Sequence, residues 1–132
     1  MTDFTAALVA RLFADAGIAQ QVADRIHWVT APAGTLLPYI LLTVVSDLDA
    51  GDLKGCPAGH DARVQIDSFA PTYGGARGLA GLVKTALRAP AEVDGVKFGR
   101  ALFDGPRDLG EDGPTDWIYR ASMDCALWHQ PL

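Results

Sequence analysis

The sequence is poor in the residues that most chemistry requires. Its 132 residues include two cysteines, Cys56 and Cys125, three histidines and two methionines. Two cysteines allow one disulfide at most, and a chain of this length does not need it. Both read as reduced thiols of a cytoplasmic product. A structural zinc site takes four ligands. The spacing of Cys56 and His60 would place two, but His27, His129 and Cys125 would have to arrive from elsewhere, so the pair reads as a loop thiol beside a solvated histidine. No apolar run approaches the roughly 18 residues of a membrane span. The longest largely apolar stretch, Ile40 to Val45, is strand-sized. Asp3 comes early and no basic stretch precedes an apolar block, so no secretory signal is expected.

Clustered positive charge is also missing. Eleven Lys and Arg are scattered singly against 16 Asp and Glu, for a net charge of −5 and a pI near 4.9. That excludes an electrostatic grip on phosphates, which is built from grouped Lys and Arg. An acidic wall would let DNA pass without adhering, and ordinary acidic solubility predicts the same composition.

Catalytic constellations are equally scarce. Ser46, Ser68 and Ser122 fall on expected strands, and none stands in a Gly-x-Ser-x-Gly elbow. Cys125 lies on the apolar side of a strand, where a thiol is inert. The acid pairs Asp47 with Asp49 and Glu111 with Asp112 flank glycines in polar stretches and read as solvated carboxylates rather than as a catalytic pair in a cleft. Gly74-Gly75-Ala76-Arg77-Gly78 follows a strand and opens a helix, but it has neither the Gly-Lys-Ser/Thr ending of a phosphate loop nor a dinucleotide spacing. No cofactor, metal or catalytic residue is expected.

What is present is a core. With 49% hydrophobic and 20% charged residues, the composition suits one globular domain spanning residues 1–132. Phe4, Leu8 and Leu12, with Val9 and Phe13 beside them, stripe a first helix that Thr2 or Asp3 caps and Gly17 stops. Ile18 to Ala23 adds one more turn. Arg25 to Val29 reads as a short strand, Ala31-Pro32-Ala33-Gly34 as a turn, and Leu37 to Ser46 as a strand apolar on both faces and so covered twice. Asp47 to Asp61 reads as a long polar loop. Ala62 to Ala70 alternates as a strand with one buried side. Thr72 caps a helix carrying Ala76, Leu79, Ala80, Val83 and Leu87 on one face, whose glycines would let it lie close on the sheet. Val93-Asp94-Gly95-Val96 signals a hairpin. Val96 to Phe103 reads as a strand, Asp104 to Pro114 as a second polar loop, and Trp117 to Trp128 as a last strand with Trp117, Tyr119, Ala121, Met123, Cys125 and Leu127 on its apolar face. The tail from Trp128 to Leu132 either frays or packs on a neighbour. The order predicts an α+β fold: a mostly antiparallel sheet with an N-terminal and a central helix packed against it.

Arg25-Ile26-His27-Trp28-Val29, then Pro32 to Gly34, Leu37-Pro38-Tyr39-Ile40-Leu41-Leu42, the strand from Ala62 and the helix opened by Pro71-Thr72-Tyr73 follow one another in an order that resembles one family. It is the tail terminators, or tail completion proteins, of long-tailed, siphovirus-like phages and of gene transfer agents. The resemblance implies a non-enzymatic virion protein at the tail–neck junction. Such proteins form a ring, commonly a hexamer, that caps the tail tube and joins it to the head. The implied partners are further copies of itself, the major tail tube protein and a neck or head-completion protein, with DNA passing through the lumen and no membrane. Excess arginine over lysine and abundant Ala and Gly fit a GC-rich prophage or gene transfer agent. Ring and partner contacts are expected on the sheet edges, on the two long loops (Asp47, Asp49, Asp52, Leu53, Lys54; Asp108, Glu111, Asp112) and at Trp28 and Trp128. Other readings remain: another head–tail connector, or a small-molecule-binding domain with a pocket under the helix.

Overall fold

The computed structural model describes residues 3–51, 57–114 and 116–132. Three helices pack on one face of a seven-stranded sheet, the α+β arrangement expected. Helix α1 (Phe4–Phe13) starts where the Asp3 carboxylate accepts from Thr5 N at 2.8 Å. The helix ends at Ala14, and Asp15 caps a second helix, α2 (Ala16–Val22), through Ile18 N at 3.1 Å. Gly17 therefore lies inside α2 and does not stop α1, because a second cap follows the first helix too closely for a glycine to be needed.

Strand β1 (Ile26–Trp28) runs parallel to β2 (Tyr39–Gly51), with Ile26 opposite Ile40. Arg25 staples the junction, its Nε donating to Pro38 O and its Nη2 to Gln21 O, both at 3.0 Å. Every other ladder is antiparallel: β2 with β3 (Pro57–Ala70), β3 with β7 (Trp117–Pro131), and β7 with both β6 (Leu102–Asp112) and β5 (Val96–Phe98), which pairs β4 (Ala91–Val93). The order is β1-β2-β3-β7-β5-β4, with β6 beside β7 from Trp117 to Ala126.

Helix α3 (Tyr73–Arg88), capped by Thr72 Oγ1 on Gly75 N, lies across β3 and β7. Its buried face is the one the sequence indicated: Ala76, Leu79, Ala80, Val83 and Leu87. With Leu8, Leu12, Ile18, Ile40, Leu42, Val64, Ile66, Phe98, Met123 and Leu127 they form the core.

Five expectations need correcting. Most of the loop expected from Asp47 to Asp61 is strand: β2 continues to Gly51 and β3 begins at Pro57, and the two form an arm paired as far as Gly51 with Pro57, residues 52–56 lying outside the described residues. Its strand pairing comes from ladder bonds between β2 and β3, which need no apolar alternation in the sequence. Asp104 to Pro114 is mostly the edge strand β6, exposed along nearly all its length, with a bulge between Asp104 and Arg107. Val96 to Phe103 is split, because the chain leaves β5 after Phe98 and resumes pairing at Leu102. Three of the four glycines of α3 do not face the sheet: a Cβ on Gly74, Gly78 or Gly81 would meet nothing within 4 Å, and Gly75 alone would bring one to 3.3 Å from Ala70 of β3. The strand expected from Leu37 to Ser46 is not covered on both faces, because the helices lie on one side of the sheet. Val45 of β2 is 55% exposed, whereas on β3 both Ser68 and its neighbours Asp67 and Phe69 are buried.

Strand β7 outruns its expected end at Trp128 and reaches Pro131, and Leu132 N donates to Gly95 O at 2.9 Å, so the tail packs on its own hairpin. The Asp94-Gly95 turn is as expected, with positive φ at both residues (48° and 80°).

Candidate functional site

The surfaces offered to a partner are the β2–β3 arm, the strand edges left unpaired among the described residues and the face without helices. The arm is fixed at its base. His129 on β7 is 5% exposed, and its Nε2 lies 2.9 Å from Asp47 Oδ1. Its ring stacks between Phe4 of α1 (3.9 Å between centroids) and His60 of β3 (5.0 Å). Four elements thus meet at one imidazole. Beyond it the backbone of Asp49 pairs with His60. Asp52, Leu53, Lys54 and Cys56 lie outside the described residues.

One bare edge belongs to β2. Strand β1 accompanies it only as far as Leu42, because Val29 takes a positive φ (69°) while its N–H donates to Leu42 O, turning the chain away. The stretch beyond Leu42 carries Val45 and Leu48, 55% and 66% exposed. The other bare edge is the outer side of β6, which among the described residues pairs only β7. Pro106, which has no N–H, and the charges Asp104, Arg107, Asp108, Glu111 and Asp112 blunt it against indiscriminate pairing.

The residues singled out from sequence are not gathered into one place. Trp28 is half-buried against the core. Trp128 lies over Gly59 and Gly99; a Cβ at either would come within 2.5 Å and 3.1 Å of its side chain. Asp108 is engaged internally, accepting from Tyr73 Oη at 3.0 Å and Arg77 Nη1 at 2.8 Å. It ties β6 to the start of α3, as Lys84 Nζ on Gly105 O (2.7 Å) does further along. Glu111 and Asp112 are exposed at the far end of β6. Trp117, expected on the apolar face of the last strand, is instead 47% exposed beside them and covers Gly110.

The helix-free face carries a polar ladder. Asp67, 1% exposed, accepts from Gln65 Nε2 at 3.0 Å and lies 3.1 Å from Arg120 Nε, an ion contact without hydrogen-bond alignment. Arg120 also covers the ring of Phe69, which stacks on Tyr39 at 4.6 Å. Arg107 reaches Asp124 (3.5 Å) and Ser122 Oγ (3.3 Å). Three concavities, of about 150, 220 and 140 Å³, lie on this face or at the β4–β5 hairpin, and α3 lines none of them. Each is below the roughly 300 Å³ at which small-molecule sites begin. Cys125 is a free thiol in the core, and burial pushes its pKa up to about 12, so it is neutral and unreactive. No described helix is long and apolar enough to cross a membrane.

The comparisons agree with this architecture. No curated protein matches the sequence. Among solved structures, one whose title reads "Virion of native gene transfer agent (GTA) particle" includes a chain with the same fold: TM-score 0.61, 21% identity, 96% of this chain and 92% of that one covered. The sequence also matches the family described as Tail completion protein gp17 over residues 6–130. A match across nearly the whole chain, on a domain of the expected α+β layout, places this protein in the tail completion protein gp17 family.

Proposed function

We propose that the protein closes the tail: copies associate into a ring, six in number, that caps the tail tube and carries the surface to which the neck of the head attaches. Family membership already makes it a structural tail protein of a virion or virion-like particle. The ring, its copy number and its joining role are the further step. The observation that carries it is the pair of bare edges on opposite sides of one sheet, β2 beyond Leu42 and the outer side of β6. A subunit with two different free edges associates head to tail, and such contacts close into a ring when the rotation allows. Backbone groups on those edges can pair with a neighbour's strand.

The arm extends the same logic. The β2–β3 arm, paired as far as Gly51 with Pro57, has a base fixed by Asp47 and His129, and such a base lets it transmit position to a neighbour or to the tube protein. The protein's work is then non-enzymatic. The net charge of −5, multiplied around a ring, suits a lumen through which DNA slides without binding. A gene transfer agent or prophage particle would be the setting, by analogy with the structural neighbour.

Deleting the gene and labelling the protein in purified particles tests this. The expected result is unjoined heads and tails with unregulated tube length in the deletion, and one label focus at the head-proximal tail end. Label along the whole tube, or normally joined particles without the protein, would overturn it.

A further inference from the structure

The charge of this acidic protein is not spread evenly. At one end of β7 the β6–β7 turn carries Glu111, Asp112 and Asp116, all exposed, around the half-exposed indole of Trp117. Asp108 nearby is already neutralised by Arg77. At the other end, beside β4 and β5, stand Arg88, Lys97 and Arg100, also exposed, and none of the three is in an ion pair among the described residues. Arg88 and Arg100 come together because Ala101 N donates to Arg88 O at 3.4 Å. The acids of this end are Glu92, opposite Lys97, and Asp94 at the hairpin tip.

Beneath this basic end a fourth cation is buried. Arg11 of α1 is 8% exposed; its Nη2 donates to Ala89 O at 2.5 Å and its guanidinium lies 5.6 Å from the Phe98 ring centroid. Its Nη1 has no hydrogen-bond partner. A buried guanidinium without a carboxylate leaves positive potential under the surface. Above it lies the concavity of about 220 Å³ lined by Pro90, Ala91, Glu92, Lys97 and Phe98. A cavity of about 150 Å³ admits benzene, so this one has room for an indole.

We propose that this basic concavity receives the acidic β6–β7 turn of a second copy of the chain, with Trp117 entering beside Pro90 and Phe98 and with Glu111, Asp112 and Asp116 meeting Arg88, Lys97 and Arg100. The charges are complementary, and a large aromatic anchored in a pocket with a charged rim is the usual form of an interface hot spot. No chain can fill its own site: Trp117 and His129, the register partner of Phe98, are separated by about 40 Å of strand. The contact is therefore head to tail, and it rests on the ring reading above, to whose edge pairing it adds an end-to-end contact between the same neighbours.

Light scattering after size exclusion tests it, on the full chain alone and with tail-tube ends present. One variant reverses the basic end (Arg88→Glu, Lys97→Glu, Arg100→Glu), one the acidic end (Glu111→Lys, Asp112→Lys, Asp116→Lys), and one carries both. The milder pair Arg100→Glu and Glu111→Lys, with unchanged circular dichroism, guards against misfolding. Each reversal alone should weaken self-association by about tenfold or more, the combined variant should recover most of it, and Trp117→Ala should weaken it in the wild-type background. Wild type that assembles while both single reversals assemble equally well overturns this contact and leaves the ring standing. Wild type at single-chain mass both alone and with tubes overturns the ring and this contact with it.

Discussion

At the residue scale, the strongest determinants are side chains whose neighbours leave them no alternative. Cys125 is one. Burial outweighs the field of Arg11 and raises its thiol pKa from 9.0 to about 12. A raised folded-state pKa favours the protonated form. The corresponding stability is fully present below about pH 9, where the unfolded chain also holds the proton, and is lost as pH climbs toward 12. In a Cys56→Ser background we therefore expect no alkylation of Cys125 by iodoacetamide at pH 8, and full modification in denaturant, read by mass. Asp67 is another. Its carboxylate is 1% exposed and held by Gln65 and Arg120, so Asp67→Ala should cost about 2–3 kcal/mol in urea unfolding, leaving a buried guanidinium edge without its partner. The N-cap is the milder case. Thr5, through its backbone N–H first and its hydroxyl second, holds the Asp3 carboxyl below the usual range, and that contribution is lost as pH falls through the lowered value. Asp3→Ala should cost about 1 kcal/mol.

At the scale of elements, glycine has opposite meanings in different places. Gly78 and Gly81 lie on the outer side of α3 with open space where a Cβ would go. Alanine at each should raise stability by about 0.5–1 kcal/mol through the lower entropy of the unfolded chain. Gly59→Ala should do the reverse, because the Trp128 ring occupies the space. Thermal denaturation of the three variants distinguishes the two situations. The elements legible in the sequence were those with a buried stripe: α1 from Phe4, Leu8 and Leu12, α3 from Leu79, Val83 and Leu87, and β3 from Val64 and Ile66. The tight turn at Asp94-Gly95 was legible too, because few other residues take positive φ at both central positions. The arm from Asp47 to Asp61 and the edge strand from Asp104 to Asp112 were not. Their strand conformation comes from ladder hydrogen bonds to a neighbour in space, and exposed strands need no apolar alternation to record it. The outward glycines of α3 were misassigned for a related reason: composition gives the number of small residues on a helix, while the apolar stripe alone fixes which side they occupy.

At the scale of the molecule, the layout is a sheet clad on one side, polar on the other and open at both edges. The candidate contact surface was only partly readable. Glu111 and Asp112 are where a partner could meet them, whereas Asp108, Asp47 and Trp128 hold the subunit itself together through Arg77, His129 and the two glycines. The basic end escaped sequence reading because Arg11, Arg88, Lys97 and Arg100 are spread over 90 positions and meet only after α1, α3 and β5 pack. A subunit built this way has its unpaired charges and free surfaces at its extremities, which suits assembly. The most direct test is averaged electron cryomicroscopy of tail-tube ends incubated with the pure protein. The account predicts one closed ring of six 14.0 kDa subunits at a single end of each tube, with bare sheet edges of neighbours in contact. Isolated subunits bound along the tube wall, or ends that stay unoccupied at saturating protein, would contradict it.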